Sequence, residues 1–462
     1  MVGKQAADPI TDNKKRRRVG FPNLDDGVEA NECIKIFLVG GKEEVDAADS
    51  FCLDPVDLNR FFGDDGKIYG YKDLKITIWL SSISFHAYAD IAFLNTSDGG
   101  KGITDLKSAL QRIFGESLLE KKDDFLQTFS TESQYIRSVV VNGEVLHYEA
   151  SKEHNDNSNS HLKVEACAVE VIRMAVNSMP VGQLYSRLVP LVLLLVDGSS
   201  PIDITDPGWE IYLVAQRKAD EQEYSTLLGF ATVYRFYHYP DSSRLRISQI
   251  LVLPPYQGQG HGRHLLETLY SVAISEKVYD VTVEEPSDYL QHVRTCIDTL
   301  RLLVFDPIQP AIHSVVSHMK QVKLSKKTCS FQFEPPASAV EDVRRSLKIN
   351  KKQFLQCWEV LIYIGLDPID QHRENYVTFI SDRMKVDILG KDSGTAGKQV
   401  IEVPNDYDHE MTFVMFRTPG GEVGSIEMDK NQASQEEQLC QLVDERMKEI
   451  TLIAQKASLH HA

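Results

Sequence analysis

One segment limits this chain more than any other: Leu251-Val252-Leu253-Pro254-Pro255-Tyr256-Gln257-Gly258-Gln259-Gly260-His261-Gly262-Arg263-His264-Leu265-Leu266. An apolar run enters a turn with three glycines and leaves as an amphipathic repeat, the pattern of a buried strand passing into a helix. Glycines let the backbone come close to a ligand, and several N–H groups then converge on the positive end of the helix dipole, which suits a pyrophosphate. The glycines alternate at 258, 260 and 262, so this is not the GxGxxG of a dinucleotide fold. No Lys-Ser/Thr pair follows, as a phosphate-binding P-loop requires.

Around this turn, residues 211–216, 228–239, 245–253 and 281–284 read as strands and 263–275 as a helix. That alternation predicts a mixed α/β sheet. Upstream, 33–39 and 74–80 read as strands. Leu106, Leu110, Ile113 and Phe114 form one helical face behind Thr104 as a candidate cap. Downstream, Phe354, Leu355, Trp358, Leu361 and Ile362 make one apolar stripe, and Leu439, Leu442, Val443, Met447, Ile450 and Ile453 another. Ser434 and Glu437 have capping-box spacing. The expectation is an α/β (α+β) chain in four parts: a disordered basic tail at 1–20, an α+β domain at 21–150, a mixed-sheet domain at 151–310 and a helical bundle at 311–462. The polar stretch 151–160 reads as the linker.

The balance of 50 basic against 67 acidic residues leaves a formal charge of −17. That argues against direct nucleic-acid binding and fits a cationic peptide partner. Seven scattered cysteines with no CxxC pair read as reduced thiols. The longest apolar run, 188–196, holds Pro190 and is too short for a membrane span, so it reads as core. Lys14-Lys15-Arg16-Arg17-Arg18 suggests nuclear import.

The pattern Gln-x-x-Gly-x-Gly at 257–262 resembles the pyrophosphate loop of the GNAT N-acetyltransferase superfamily. The longer run 246–262 with Leu265-Leu266-Glu267 resembles the catalytic subunits of type B histone acetyltransferases. The likeness extends to Trp209, 234–240, Glu284-Glu285-Pro286-Ser287, Phe62-Gly63-Asp64-Asp65 and Gly70-Tyr71-Lys72. It covers about two thirds of the chain. Beyond 310 only the helical character is shared, and the resemblance does not place 391–432.

This resemblance implies a central GNAT-type sheet and acetyl-CoA as co-substrate, with no metal. Ile250, Leu251, Val252, Gln257, Gly258, Gln259, Gly260, His261, Gly262 and Ser287 would hold the cofactor. Glu284 would be the general base, with Glu285 and Asp197 assisting. Histone-tail contacts would fall on Asp64, Asp65, Tyr234, Arg235 and Phe236. Gly66 stands where a further acidic residue would follow Asp65, which removes one charge from that contact. The implied substrate is the N-terminal tail of newly made histone H4, alone or with its histone H3 partner. A WD-repeat β-propeller chaperone is the implied companion, and nucleus and cytoplasm the implied location.

The chemistry explains why a carboxylate is needed. A lysine with pKa near 10.4 is neutral about once in 10³ at neutral pH, a deficit of roughly 4 kcal/mol of barrier. A carboxylate in a site that excludes water can take that proton as the nitrogen attacks. As consecutive strand residues, Glu284 and Glu285 would face opposite sides. Direct attack makes a cysteine nucleophile unnecessary, so Cys296 reads as a buried small residue. His261, His264 and Glu267 repeat every three residues, but the spacing is not HExxH and no metal is expected. Two alternatives stay open: another amine acceptor with the same machinery, and a histone-binding scaffold in which acetyl-CoA only stabilises the fold.

Overall fold

A computed structural model describes residues 26–63, 65–98, 100–146, 168–217, 224–321, 333–367, 369–389 and 432–461. The basic run 14–18, the linker 151–160 and Asp64 lie outside the described residues.

The first half carries a five-stranded mixed sheet made of β1 (Ile34–Val39), β2 (Phe51–Leu53), β3 (Lys75–Ser81), β4 (Ala87–Ala92) and β5 (Leu118–Leu119), in the order β2-β1-β3-β4-β5. Alternation along β1 and its parallel neighbour β3 puts Ile34, Ile36, Ile76 and Ile78 on one buried face. Trp79 turns to the other, against Phe125 and Phe129. Helix α1 (Leu106–Phe114) buries Leu106, Leu110, Ile113 and Phe114. Its cap is Asp105, whose side chain accepts from the Ser108 N–H at 3.1 Å. Thr104, the expected cap, instead accepts from the Tyr69 N–H at 2.8 Å. The helices α2 (Lys122–Thr131) and α3 (Tyr135–Val140) complete this part.

The second sheet has six strands in sequential order: β6 (Glu144–Leu146), β7 (Ala168–Ala175), β8 (Trp209–Arg217), β9 (Tyr224–His238), β10 (Ser242–Val252) and β11 (Val281–Val283). All neighbours are antiparallel except the last pair, β10 with β11. Between β7 and β8 runs α4 (Met179–Leu195), which absorbs the apolar run as core and contains Pro190. Between β10 and β11 runs α5 (His261–Ser275).

This sheet separates two cores. Tyr212, Val233, Leu245 and Ile247 face α5 and the C-terminal helices. Leu213, Phe230 and Leu251 face α4 and share one continuous core with Ile36, Ile78 and Leu110 of the first sheet. Each such buried aliphatic chain contributes about 1.5–3 kcal/mol. The strand β6 lies before the expected division at 150 yet pairs into the six-stranded sheet.

The remaining helices are α6 (Asp288–Leu303), α7 (Gln309–Gln321), α8 (Ala337–Leu347), α9 (Lys351–Gly365), α10 (Asp370–Leu389) and α11 (Gln432–His461). The expected stripe on α9 is its core face, with Phe354, Trp358, Leu361 and Ile362 buried. Glu359 on the same helix is also buried, and Arg446 of α11 meets it at 2.7 and 3.0 Å. α11 begins at Gln432, so position 434 falls inside its first turn and not at the expected cap position.

Candidate active site

The centre of the site is a break in strand pairing. Val233 opposes Ile247 and Thr232 opposes Gln249, so Ser248 is an extra residue, a β-bulge. Before it, Leu245 and Ile247 point to the α5 side. After it, Leu251 points to the α4 side. Pairing with β11 ends at the same place: Ile247 opposes Val283, and the Glu284 N–H donates to the Ile247 carbonyl at 2.9 Å. Among the described residues no strand lies beyond β10 along 248–252, so this edge is open.

Alternation decides which backbone groups face that opening. Leu253 donates to the Leu228 carbonyl at 2.9 Å, so the N–H of Leu251 turns toward β9 as well. Those of Ile250 and Val252 turn to the open edge. Of the three residues expected to offer a backbone donor, Leu251 is thus committed to the sheet.

The glycine turn follows directly. Pro254–Tyr256 form a short 3₁₀ turn, and the Tyr256 ring packs against both cores, which seats the turn on the sheet. Gly258 and Gly260 have φ of 76° and 87°, the left-handed region where glycine is favoured. A Cβ at either position would meet no atom within 4 Å, so the space before the turn is open. The Gln257 side chain donates to the Val252 carbonyl at 2.9 Å and that of Gln259 to the Pro255 carbonyl at 3.3 Å. The helix pattern starts with the His264 N–H on the Gly260 carbonyl, which leaves the N–H groups of 261–263 facing outward. Burial holds the imidazoles of His261 and His264 below their ordinary pKa, so the attraction for an anion comes from backbone. Glu267 pairs with Arg263 at 2.8 Å, and among the described residues no His, Cys, Asp and Glu cluster is arranged for a metal.

Glu284 stands at the fork between β10 and β11. The Ser248 hydroxyl donates to its Oε2 at 2.7 Å. It is exposed in the chain alone, so the dry surroundings expected of a base are not supplied by the protein by itself. Glu285 does not continue the strand, which ends at Val283; its φ of 36° places it in a bend, and the expected strand alternation with Glu284 does not apply. Asp197 follows the end of α4, exposed. Its loop is tied to the bulge, because Gln249 donates to the Ser200 carbonyl at 2.7 Å and accepts from the Tyr185 hydroxyl at 3.1 Å. Ser287 caps α6, accepting from the Leu290 N–H at 3.3 Å. Cys296 is half-buried, and burial pushes its thiol pKa up.

The residues expected to meet the acceptor divide between the two faces of the sheet. Tyr234 and Phe236 share the α4 face, ring centroids 4.5 Å apart, with Trp209 4.9 Å from Tyr234 and the Arg246 guanidinium 4.4 Å over Phe236. The Tyr234 hydroxyl donates to Asp206 at 3.0 Å, which raises its pKa. Arg235 points the other way, as alternation along β9 requires, and pairs with Glu276 at 2.7 Å and Glu210 at 3.1 Å. Asp65 is exposed and accepts from the Tyr69 hydroxyl, which holds its carboxyl below the usual range, and the Lys101 ammonium lies 3.6 Å away.

Ser248, Gln249 and Arg246 went unnoticed as site residues in the sequence. The signal was present: two adjacent polar residues, Ser248-Gln249, end the alternation of Arg244 to Ile247 and precede the apolar run Ile250 to Leu253.

The family described as histone acetyl transferase HAT1 N-terminus matches residues 27–197, and the acetyltransferase (GNAT) family matches 200–293. A histone acetyltransferase type B catalytic subunit from Arabidopsis thaliana is 55% identical over 463 residues, covering 99% of this chain and 98% of that protein. Its Zea mays counterpart is 51% identical, covering 98% and 95%. One from Schizosaccharomyces pombe is 28% identical, covering 72% and 85%. A bulged strand opening beside a glycine turn is thus carried by a chain that belongs to the family of type B histone acetyltransferase catalytic subunits, with a GNAT acetyltransferase domain.

Proposed function

We propose that this enzyme transfers the acetyl group of acetyl-CoA to lysine side chains in the N-terminal tail of newly synthesised, non-nucleosomal histone H4. Attack is direct, in a ternary complex, with Glu284 as general base. The observation that carries this reading is the Ser248–Glu284 hydrogen bond at the mouth of the open β10 edge, beside the glycine turn.

The turn from Gln257 to Gly262 fits a diphosphate, since its backbone has open space in front and its outward N–H groups converge. From there the open edge offers the N–H groups of Ile250 and Val252 to the pantetheine arm and the thioester carbonyl. A carbonyl oxygen becomes anionic as the amine attacks, and a fixed donor at that point stabilises it. Glu284 takes the proton as the neutral amine attacks the thioester carbonyl; the C–N bond forms, the C–S bond breaks and coenzyme A leaves as its thiol or thiolate. Ser248 positions it through one carboxylate oxygen and leaves the other for that proton. Because Glu284 is exposed in the chain alone, the bound cofactor and tail themselves complete the water-excluding cover. The Trp209, Tyr234 and Phe236 rings suit the aliphatic stems of the tail, and Asp65 suits one of its cations.

A lysine-rich tail also matches a net charge of −17. The proposed setting is nucleus and cytoplasm, with histone H3 accompanying H4 and a WD-repeat β-propeller chaperone delivering them. The test is acetylation of H4 tail peptides against polyamines such as spermidine: kcat/KM higher for the peptide is expected, and preference for the polyamine removes the histone assignment.

A further inference from the structure

The far end of α5, about 22 Å from the glycine turn at 1.5 Å per residue, meets the end of α8 around a cavity of 520 Å³. Lys277, Arg344, Arg345 and Lys348 line it together with Tyr279 and Ile274. Four cations gathered at one place are unusual on a chain with a charge of −17. Two of them are already matched. Arg344 bonds Glu341 at 2.9 Å and the Tyr279 carbonyl at 3.1 Å, and Arg345 reaches Glu341 at 3.3 Å. The nearby Asp280 is taken by Arg244 at 2.6 and 3.1 Å.

The two lysines are not matched. Among the described residues neither ammonium has a hydrogen bond or ion pair, although the Lys348 residue is only 7% exposed. Burial, followed by the neighbouring Arg344, lowers the Lys348 pKa against the attraction of Asp280 and Glu341. The backbone tells the same story independently. Lys277 follows α5 with φ of 54° and Lys348 follows α8 with φ of 60°, left-handed positions that glycine or asparagine takes more readily. Helix dipoles favour a cation near such ends, but neither ammonium bonds a terminal carbonyl. Both positions therefore keep a lysine on left-handed backbone at the lining of one cavity.

We propose that this cavity binds a small phosphate-bearing anion through the ammonium groups of Lys277 and Lys348. Ammonium groups are compact donors suited to phosphate oxygens. The walls come from three sides, the ends of two helices and the strand turn at Ser242, which suits a compact ligand better than an extended peptide. The volume lies within the range usual for small-molecule sites. This site is separate from the glycine turn and does not depend on the acetyl-transfer reading.

The test uses the full chain and inorganic pyrophosphate, titrated by calorimetry at low and high salt. Wild type is expected to show one more saturable site than the Lys277→Gly/Lys348→Gly double variant, and each single variant is expected to weaken that site at least tenfold. Glycine relaxes the left-handed backbone, so the Tm of the variants should equal or exceed that of wild type, and lost binding is then not lost folding. An unchanged isotherm in the double variant overturns the proposal. A glutamate-rich peptide binding more tightly than pyrophosphate at the same lysines also overturns it, in favour of an acidic protein partner.

Discussion

The Ser248 hydroxyl and the Glu284 carboxylate, 36 residues apart in the chain, meet at 2.7 Å where two parallel strands part. Ser248 is there because of the bulge, and Glu284 because its N–H bonds the Ile247 carbonyl just before it. An unbulged β10 would keep pairing in step and leave no extra residue to aim at Glu284. One inserted residue therefore turns Leu251 into the opposite core and presents the Ser248 hydroxyl to the proposed base.

Substituting the two partners separates base from positioner. Glu284→Gln should lower kcat by about 10²–10⁴-fold with acetyl-CoA affinity unchanged. Ser248→Ala should cost roughly tenfold in kcat with little change in KM, and Ser248→Thr should restore most of it, as expected of a positioning hydroxyl. Single-turnover acetylation of a tail peptide measures both. A Glu284→Gln enzyme at full rate would move the base to Glu285 or Asp197.

The three glycines of the turn should behave differently. At Gly262 an added Cβ would meet only the Val252 side chain at 3.7 Å, an ordinary contact, and the position is helical. Gly262→Ala should keep or raise Tm, yet raise the acetyl-CoA Kd by about tenfold or more through crowding of the diphosphate. Gly258→Ala and Gly260→Ala should each lose about 1–2 kcal/mol of stability from the left-handed backbone. Equal acetyl-CoA affinity in Gly262→Ala and wild type would exclude close approach of the ligand there.

Asp65 already holds a cation of its own. Lys101 lies 3.6 Å from its carboxylate, donates to the Tyr69 hydroxyl at 2.9 Å and sits 4.4 Å over the Tyr69 ring. A tail lysine or arginine using Asp65 must displace Lys101. Lys101→Ala should therefore lower the peptide KM a fewfold with kcat unchanged, and Asp65→Asn should raise it, both effects shrinking with salt. If Lys101→Ala raises KM, Lys101 contacts the tail itself.

Acid should weaken the joint between α4 and the first sheet. Burial, then Arg187, holds the His86 imidazole below its ordinary value of 6.5, against the pull of Glu132 at 3.1 Å. Below pH 6.5 the unfolded chain takes up this proton before the folded one does. The stability is therefore present above that pH and is lost as pH falls toward the lowered value, at up to about 1.4 kcal/mol per pH unit. Thermal unfolding from pH 7.5 to 5.5 should show a shallower acid decline in His86→Asn than in wild type. Parallel declines would place the acid sensitivity elsewhere.

Local patterns were legible in the sequence because short-range geometry generates them. Strand alternation at 74–80, the helical face of α1 and the strand-turn-helix at the glycines each depend on a few neighbouring residues, and each stands where its spacing put it. Tertiary structure decided everything that rests on pairing register. It chose Asp105 over Thr104 as the α1 cap because Tyr69 claimed the threonine. It turned Arg235 into an ion-pair network with Glu210 and Glu276, and it drew Ser248, a residue with no motif of its own, onto Glu284. The physical reason is that a strand's neighbours come from distant parts of the chain, and a one-residue shift in their register reassigns every side chain beyond it.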